Sequence, residues 1–345
     1  MRIIKLFFVG LLLFALTAFI FVACGEEVAA GPEKITLKLA HVQSPNCPYG
    51  RGTQRFAELV NKYTDGNVEI KIYPSSQLGN NQEILNSIRI GSIEMALIPF
   101  PLLSDIVPEY TIYTAGFFYD SWEDLSIIIQ HPEYGRKWDQ ELFQKGDLKI
   151  VATVYYGERN LTTTDTPIYH PDDLKSMKIR AVPNKASLAV VAGMGGNPTP
   201  VPFAELFQAL TQGVVDGQEN PLPTIWSQKF YEVQNYLIMT RHQVIPLNWI
   251  ISKKAWNDLT PQQQENLMKA GREAAIFLTQ ETKKEEATFV ERLKEHGMTV
   301  ITEKEGLDRK AFKERVRADV MGRFVGKEWP EGLAEEILSL VDERK

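Results

Sequence analysis

The 345 residues carry 38 Lys and Arg against 44 Asp and Glu, a net charge of −6, and 44% of them are hydrophobic. That acidic balance excludes nucleic acid as the natural partner. The length exceeds what one hydrophobic core usually serves, so two lobes are expected.

In chain order, Arg2 and Lys5 precede an apolar run of 18 residues from Leu6 to Ala23, which ends in Phe21-Val22-Ala23-Cys24-Gly25. Residues 1–23 read as an export signal. A cysteine directly after a small residue resembles a lipobox, with Phe21 where Leu is usual, so that cleavage leaves a lipidated Cys24. An uncleaved anchor and plain secretion are the alternatives, and all three put the remaining chain outside the cytoplasm. Loss of Arg2 and Lys5 leaves 36 basic against 44 acidic residues, a net charge of −8. Only Cys47 remains beside Cys24, so no intrachain disulfide is expected once Cys24 is acylated. Residues 24–33, small and polar after the cysteine, read as a flexible tether.

Residues 35–39 alternate as a strand, 52–64 read as a helix, and 68–72 alternate again. Residues 82–90 are helical and stop at Gly91, and 93–98 form a third apolar strand. Strands separated by helices of this length imply a parallel sheet with crossovers. Residues 149–156, almost continuously apolar, fit a strand covered on both faces. Strand 178–182, helix 185–192 and strand 199–201 repeat the pattern as a second lobe. Thr260-Pro261 opens a helix that runs to Gly297, an N-cap followed by proline at the first helical position. Its 36 residues from 261 to 296 span about 54 Å. Apolar ends around a charged middle at 281–286 suit a helix that packs on one lobe, crosses open water and packs on the other. A long surface helix or coiled-coil segment is the alternative.

Arg180, leaving the strand Lys178-Ile179-Arg180, offers two parallel N–H donors that match a carboxylate. A solvated charge at the strand edge is the plain alternative. Arg159 can pair with its neighbour Glu158 at the surface. Asn220, between Glu219 and Pro221, suits a turn. Phe203, Phe117, Phe118, Tyr119, Tyr155, Trp226 and Trp249 can wall a cleft or fill a core. His41, His131, His170, His242 and His296 lack metal-ligand spacing, and no nucleophile elbow is present. The glycines at 193, 195 and 196 fit a helix end better than a phosphate loop, and Asp172-Asp173 fits a helix N-terminus better than an acid/base pair.

An ordered set of segments carries a resemblance. It includes Ala40-His41-Val42, Ser76-Gln77-Leu78-Gly79, Pro171-Asp172-Asp173-Leu174-Lys175 and Lys178-Ile179-Arg180, then Asn197-Pro198-Thr199-Pro200-Val201-Pro202-Phe203 and Gly213-Val214-Val215-Asp216-Gly217-Gln218-Glu219-Asn220-Pro221. Over residues 35–300 the chain resembles the extracytoplasmic solute receptors of tripartite ATP-independent periplasmic (TRAP) transporters, the DctP family. The resemblance implies an α/β, two-lobed periplasmic binding protein fold (type II-like) with a long helix spanning both lobes. Lobe I would hold residues 34–156 and 246–285, and lobe II residues 157–245 and 286–345.

The resemblance further implies binding and delivery, not catalysis, and no cofactor is expected. Arg180 would hold the ligand carboxylate, and Arg159, Asn220, Glu83 for ligand hydroxyls, and Phe203 would complete the site. Small and large integral membrane subunits would receive the carboxylate from a lipid-anchored protein in the periplasm or on the outer face of the cell membrane. A receptor feeding a sensor kinase and a periplasmic enzyme acting on a carboxylate are the alternatives. Ser176 and Arg241 depart from the family pattern, standing where Gly is usual.

Overall fold

In the computed structural model the described residues are 34–343. The export signal, Cys24 and the tether lie outside them.

One sheet of nine strands organises these residues: β1 (Ile35–Ala40), β2 (Val68–Tyr73), β3 (Met95–Pro99), β4 (Leu148–Thr163), β5 (Lys178–Ala181), β6 (Asn197–Pro200), β7 (Gly217–Pro221), β8 (Tyr236–Ser252) and β9 (Thr299–Ile301). Their order is β2-β1-β3-β8-β4-β7-β5-β6, with β9 against β8. Pairing is parallel at the two ends, β1 with β2 and β3, and β5 with β6 and β7. The middle is antiparallel, with β8 against β3 and β4, and β4 against β7. The expected parallel sheet with crossovers holds for β1, β2 and β3, and the antiparallel middle around β4 and β8 is a departure from it. β4 and β8, 16 and 17 residues long, run through both lobes as one ribbon and return on each other. A short apolar run from 149 to 156 did not disclose that length, because the strand continues through the polar residues from Glu158 to Thr163.

Register shifts in the β4–β8 ribbon fall between Tyr155 and Gly157 and between Arg159 and Leu161. Bulges of this kind bend a strand and add twist. The ribbon therefore bends and twists on either side of Gly157. Gly157 takes φ +130°, a conformation closed to most side chains.

The long helix spans Pro261–Glu295, opened by a capping box between Thr260 and Gln263. Leu267, Ala274 and Leu278 pack into one apolar cluster with Phe56 and Trp249, whose rings stack at 4.7 Å. Phe289 and Leu293 pack into a different cluster with Phe230 and Leu206. One helix thus serves two cores. Its close approach to helix Pro48–Tyr63 requires Gly52, where a Cβ would sit 2.5 Å from the Leu278 side chain.

The charged middle does not cross open water. Thr282 is fully buried, Glu281 and Glu285 pair with Arg51, and Lys283 reaches Glu123 at 2.5 Å. Glu286 accepts from the Tyr155 hydroxyl at 2.9 Å and from the Glu158 amide at 3.1 Å. Of the charges that break the apolar stripe, Glu286 ties the helix to the ribbon, and Glu281, Lys283 and Glu285 tie it to two neighbouring helices.

A cavity for one anion

A cavity of about 180 Å³ opens between the two ends of the sheet. From one end come Gln43, just beyond β1, and Asn80, Asn81 and Gln82 at the start of helix Asn81–Arg89. From the other come Arg180 on β5, Asn220 on β7 and Phe203, which follows Pro202 into a single 3₁₀ turn. Arg159 and Tyr156 on the β4 ribbon complete it.

Arg180 is 1% exposed and its Nε donates to the Val201 carbonyl at 2.9 Å. Its Nη1 is buried with no hydrogen-bond partner among the described residues. No carboxylate of the described residues lies within ion-pair distance. Loss of water and repulsion from Arg159 pull its pKa down to about 10. A buried cation left in this condition favours any anion that enters.

Arg159 is different. Its guanidinium pairs through Nε and Nη2 with the Glu219 carboxylate, the Nη2 to Oε1 contact being 2.8 Å. Antiparallel pairing of β4 with β7 sets Leu161 opposite Glu219 and Arg159 opposite Pro221, so the two side chains meet on the diagonal. His242 Nε2 lies 3.1 Å from the same carboxylate and its Nδ1 lies 2.8 Å from Thr240 Oγ1. An ionised carboxylate only accepts, so Nε2 carries the proton and Nδ1 accepts from the threonine hydroxyl. Burial opposes ionisation of Glu219, but Arg159 and His242 outweigh it and hold the carboxyl at about 2. Burial likewise keeps the imidazole below its ordinary range, hence neutral. For Arg159, burial lowers the pKa and the Glu219 charge more than restores it. Arg159 is already neutralised, and the cavity keeps one unanswered positive charge.

Asn220 lies in β7, extended and 1% exposed, not in a turn. Its Nδ2 donates to Gln218 Oε1 at 2.5 Å, and Gln218 Nε2 donates to Thr162 Oγ1 at 2.8 Å. Thr162 passes the chain to Gln234 at 2.9 Å, and Gln234 to Thr164 at 2.7 Å. Each donor has its acceptor, which fixes the amide of Asn220 on the cavity wall.

Arg180, Arg159, Asn220 and Phe203 therefore share one cavity. Glu83 does not join them. It is exposed, and its carboxylate accepts from the Asn80 amide at 2.8 Å as the third residue of a capping box. Asn-Asn-Gln-Glu before an apolar run carried that signal in the sequence. Gln43, Asn81, Glu219 and His242 were missed as site residues. Glu219 sat within a segment read for Asn220, and no local spacing pointed to the others.

The family model for bacterial extracellular solute-binding protein, family 7, matches residues 39–325. The chain is 31% identical over 290 residues to the 2,3-diketo-L-gulonate-binding periplasmic protein YiaO of Escherichia coli, covering 84% of this chain and 86% of that one. It is 30% identical over 308 residues to the C4-dicarboxylate-binding periplasmic protein DctP of Rhodobacter capsulatus, covering 88% and 91%. Its structure resembles that of a TRAP periplasmic solute-binding protein from Actinobacillus succinogenes with bound L-galactonate, at a TM-score of 0.84 and 29% identity, covering 89% of this chain and 99% of that one. Matched along most of its length in sequence and in fold, this chain belongs to the DctP family of bacterial extracellular solute-binding proteins, the receptors of TRAP transporters.

Proposed function

We propose that the protein captures a small organic carboxylate outside the cytoplasm, holds it through Arg180, and hands it to the small and large integral membrane subunits of a TRAP transporter. The observation that carries this reading is the buried guanidinium of Arg180, with no acidic partner among the described residues, in the wall of a cavity. A carboxylate entering the cavity loses water, and a bidentate partner that stays protonated offsets the loss. Asn220 supplies a fixed amide and Phe203 an apolar wall. Arg159, tied to Glu219, positions its own strand and lends a second donor face. The relatives named above bind a diketo sugar acid, C4-dicarboxylates and a sugar acid, all organic acids. Residues 34–156 with 246–285 and residues 157–245 with 286–345 act as the two closing lobes, and acylated Cys24 tethers them to the membrane. The bound solute leaves unchanged.

Calorimetry with dicarboxylates, sugar acids, 2-oxo acids and simple monocarboxylates tests the reading. Arg180→Ala should weaken the best ligand by at least about a hundredfold, as expected when a charge-assisted pair is lost. An unchanged affinity would refute it. Incorporation of labelled palmitate should vanish in Cys24→Ala.

A further inference from the structure

The polar groups of the cavity also restrict what lies beyond the carboxylate, given the capture by Arg180 argued above. Arg159 and Arg180 are the only charged residues among the described residues that line the cavity. With Glu219 spent on Arg159, the wall offers one net positive charge. That matches one carboxylate.

The wall from the other end of the sheet order has a different chemistry. Gln43 Oε1 and Asn81 Oδ1 are buried and have no hydrogen-bond partner among the described residues. Neighbouring groups are already committed. Gln43 Nε2 donates to Tyr156 Oη at 3.0 Å, and Asn80 Oδ1 accepts from the amides of Gln82 and Glu83 at 2.9 and 3.1 Å. Two carbonyl oxygens therefore remain that need donors. A carboxylate only accepts and cannot satisfy them, whereas a hydroxyl donates.

The start of helix Asn81–Arg89 does not rescue a second carboxylate. The amides of Gln82 and Glu83 are capped by the Asn80 side chain, and the Glu83 carboxylate already stands at that end of the dipole. Between the polar groups the walls are aliphatic, from Val42, Leu97, Leu102, Ile245 and Leu247. A ligand hydroxylated on every carbon would strand some of its hydroxyls there.

We propose that the cargo is a monocarboxylate with an aliphatic body and one or two hydroxyls, the carboxylate on Arg180 and the hydroxyls on Gln43 Oε1 and Asn81 Oδ1. Dicarboxylates and fully hydroxylated sugar acids are then the weaker ligands.

Calorimetry on four-, five- and six-carbon series tests this. The five-carbon set is pentanoate, 4- and 5-hydroxypentanoate, glutarate and arabinonate. The tightest hydroxylated monocarboxylate should bind about tenfold or more tightly than the plain acid and the diacid of its length, the effect of one or two satisfied acceptors. In the double variant Gln43→Met with Asn81→Ala, the ratio of hydroxy acid to plain acid affinity should fall to within about twofold. A diacid that binds as tightly as the hydroxy acids overturns the inference, and so does a ratio that survives the double variant. If Arg180→Ala leaves every affinity unchanged, or if no acid binds, the underlying carboxylate reading fails and takes this inference with it.

Discussion

Arg159 and Arg180 line one cavity, yet Glu219 answers the first and no carboxylate of the described residues answers the second. The two arginines are alike in burial, at 4% and 1% exposed, and opposite in electrostatic condition. The stability of the ligand-free protein should separate them.

Arg159→Met strands the buried Glu219 carboxylate beside His242, and breaking such a pair costs about 3 kcal/mol. Arg180→Met removes a buried cation that lacks a partner, so stability should hold to within about 1 kcal/mol or rise. Urea unfolding of both variants without ligand measures this. A larger loss from Arg180→Met would contradict the assignment of charges.

Asn220→Asp places a carboxylate on the wall that Arg180 serves. It should weaken acid binding about a hundredfold by occupying the guanidinium and repelling the ligand, and lower the melting temperature because the donor to Gln218 Oε1 is lost. Calorimetry and thermal unfolding on the same sample decide it. Undiminished affinity would mean that Asn220 lies too far from the bound carboxylate to matter.

Burial lifts the Glu286 carboxyl from the ordinary 4.5 to about 7, against the pull of its bonds to Tyr155 and the Glu158 amide. Between those values the folded protein keeps a proton that the unfolded chain has released. The stabilisation is therefore full below pH 4.5 and is lost as pH rises through 7. Glu286→Gln removes this dependence, so its stability relative to the parent should rise by about 2–3 kcal/mol from pH 5 to pH 8. Chemical denaturation across that range checks the slope, and a constant difference between the two proteins would exclude the shift.

Two backbone positions predict opposite signs. At Gly157, φ +130°, a Cβ would sit 2.7 Å from both Glu286 Oε1 and Pro221 Cβ, so Gly157→Ala should cost about 2 kcal/mol or more. Ser176 is exposed at φ +69°, where glycine carries no penalty, and Ser176→Gly should add about 1 kcal/mol. Unfolding midpoints of the two variants should move apart.

Local pattern carried much of this molecule. The long helix, expected over 261–296, is Pro261–Glu295, because proline at its start and glycine beyond its end act within one turn. Strands 35–39 and 68–72 differ from Ile35–Ala40 and Val68–Tyr73 by a residue, since a half-covered strand alternates visibly. Arg180 was legible as a candidate from its strand, and Asn220 only through the family resemblance, since its neighbours in sequence suggest a turn. The partner of Arg159 was not, because Glu158 is adjacent in sequence while Glu219 arrives only through the register of β4 on β7. β8 escaped notice because a strand buried on nearly every residue has no period to read. Gln43 and Asn81 are ordinary loop and helix-start amides until the fold leaves their carbonyls without donors.

The lone charge of Arg180 also orders events. Drawing the walls together around solvent strips a cation of its water and returns nothing, a cost of several kcal/mol. The same movement around an acid meets a charge-assisted bond instead. Under the proposed lobe closure the receptor would carry an interlock, resisting closure on an empty cleft, so that the closed shape is reached chiefly by a full load.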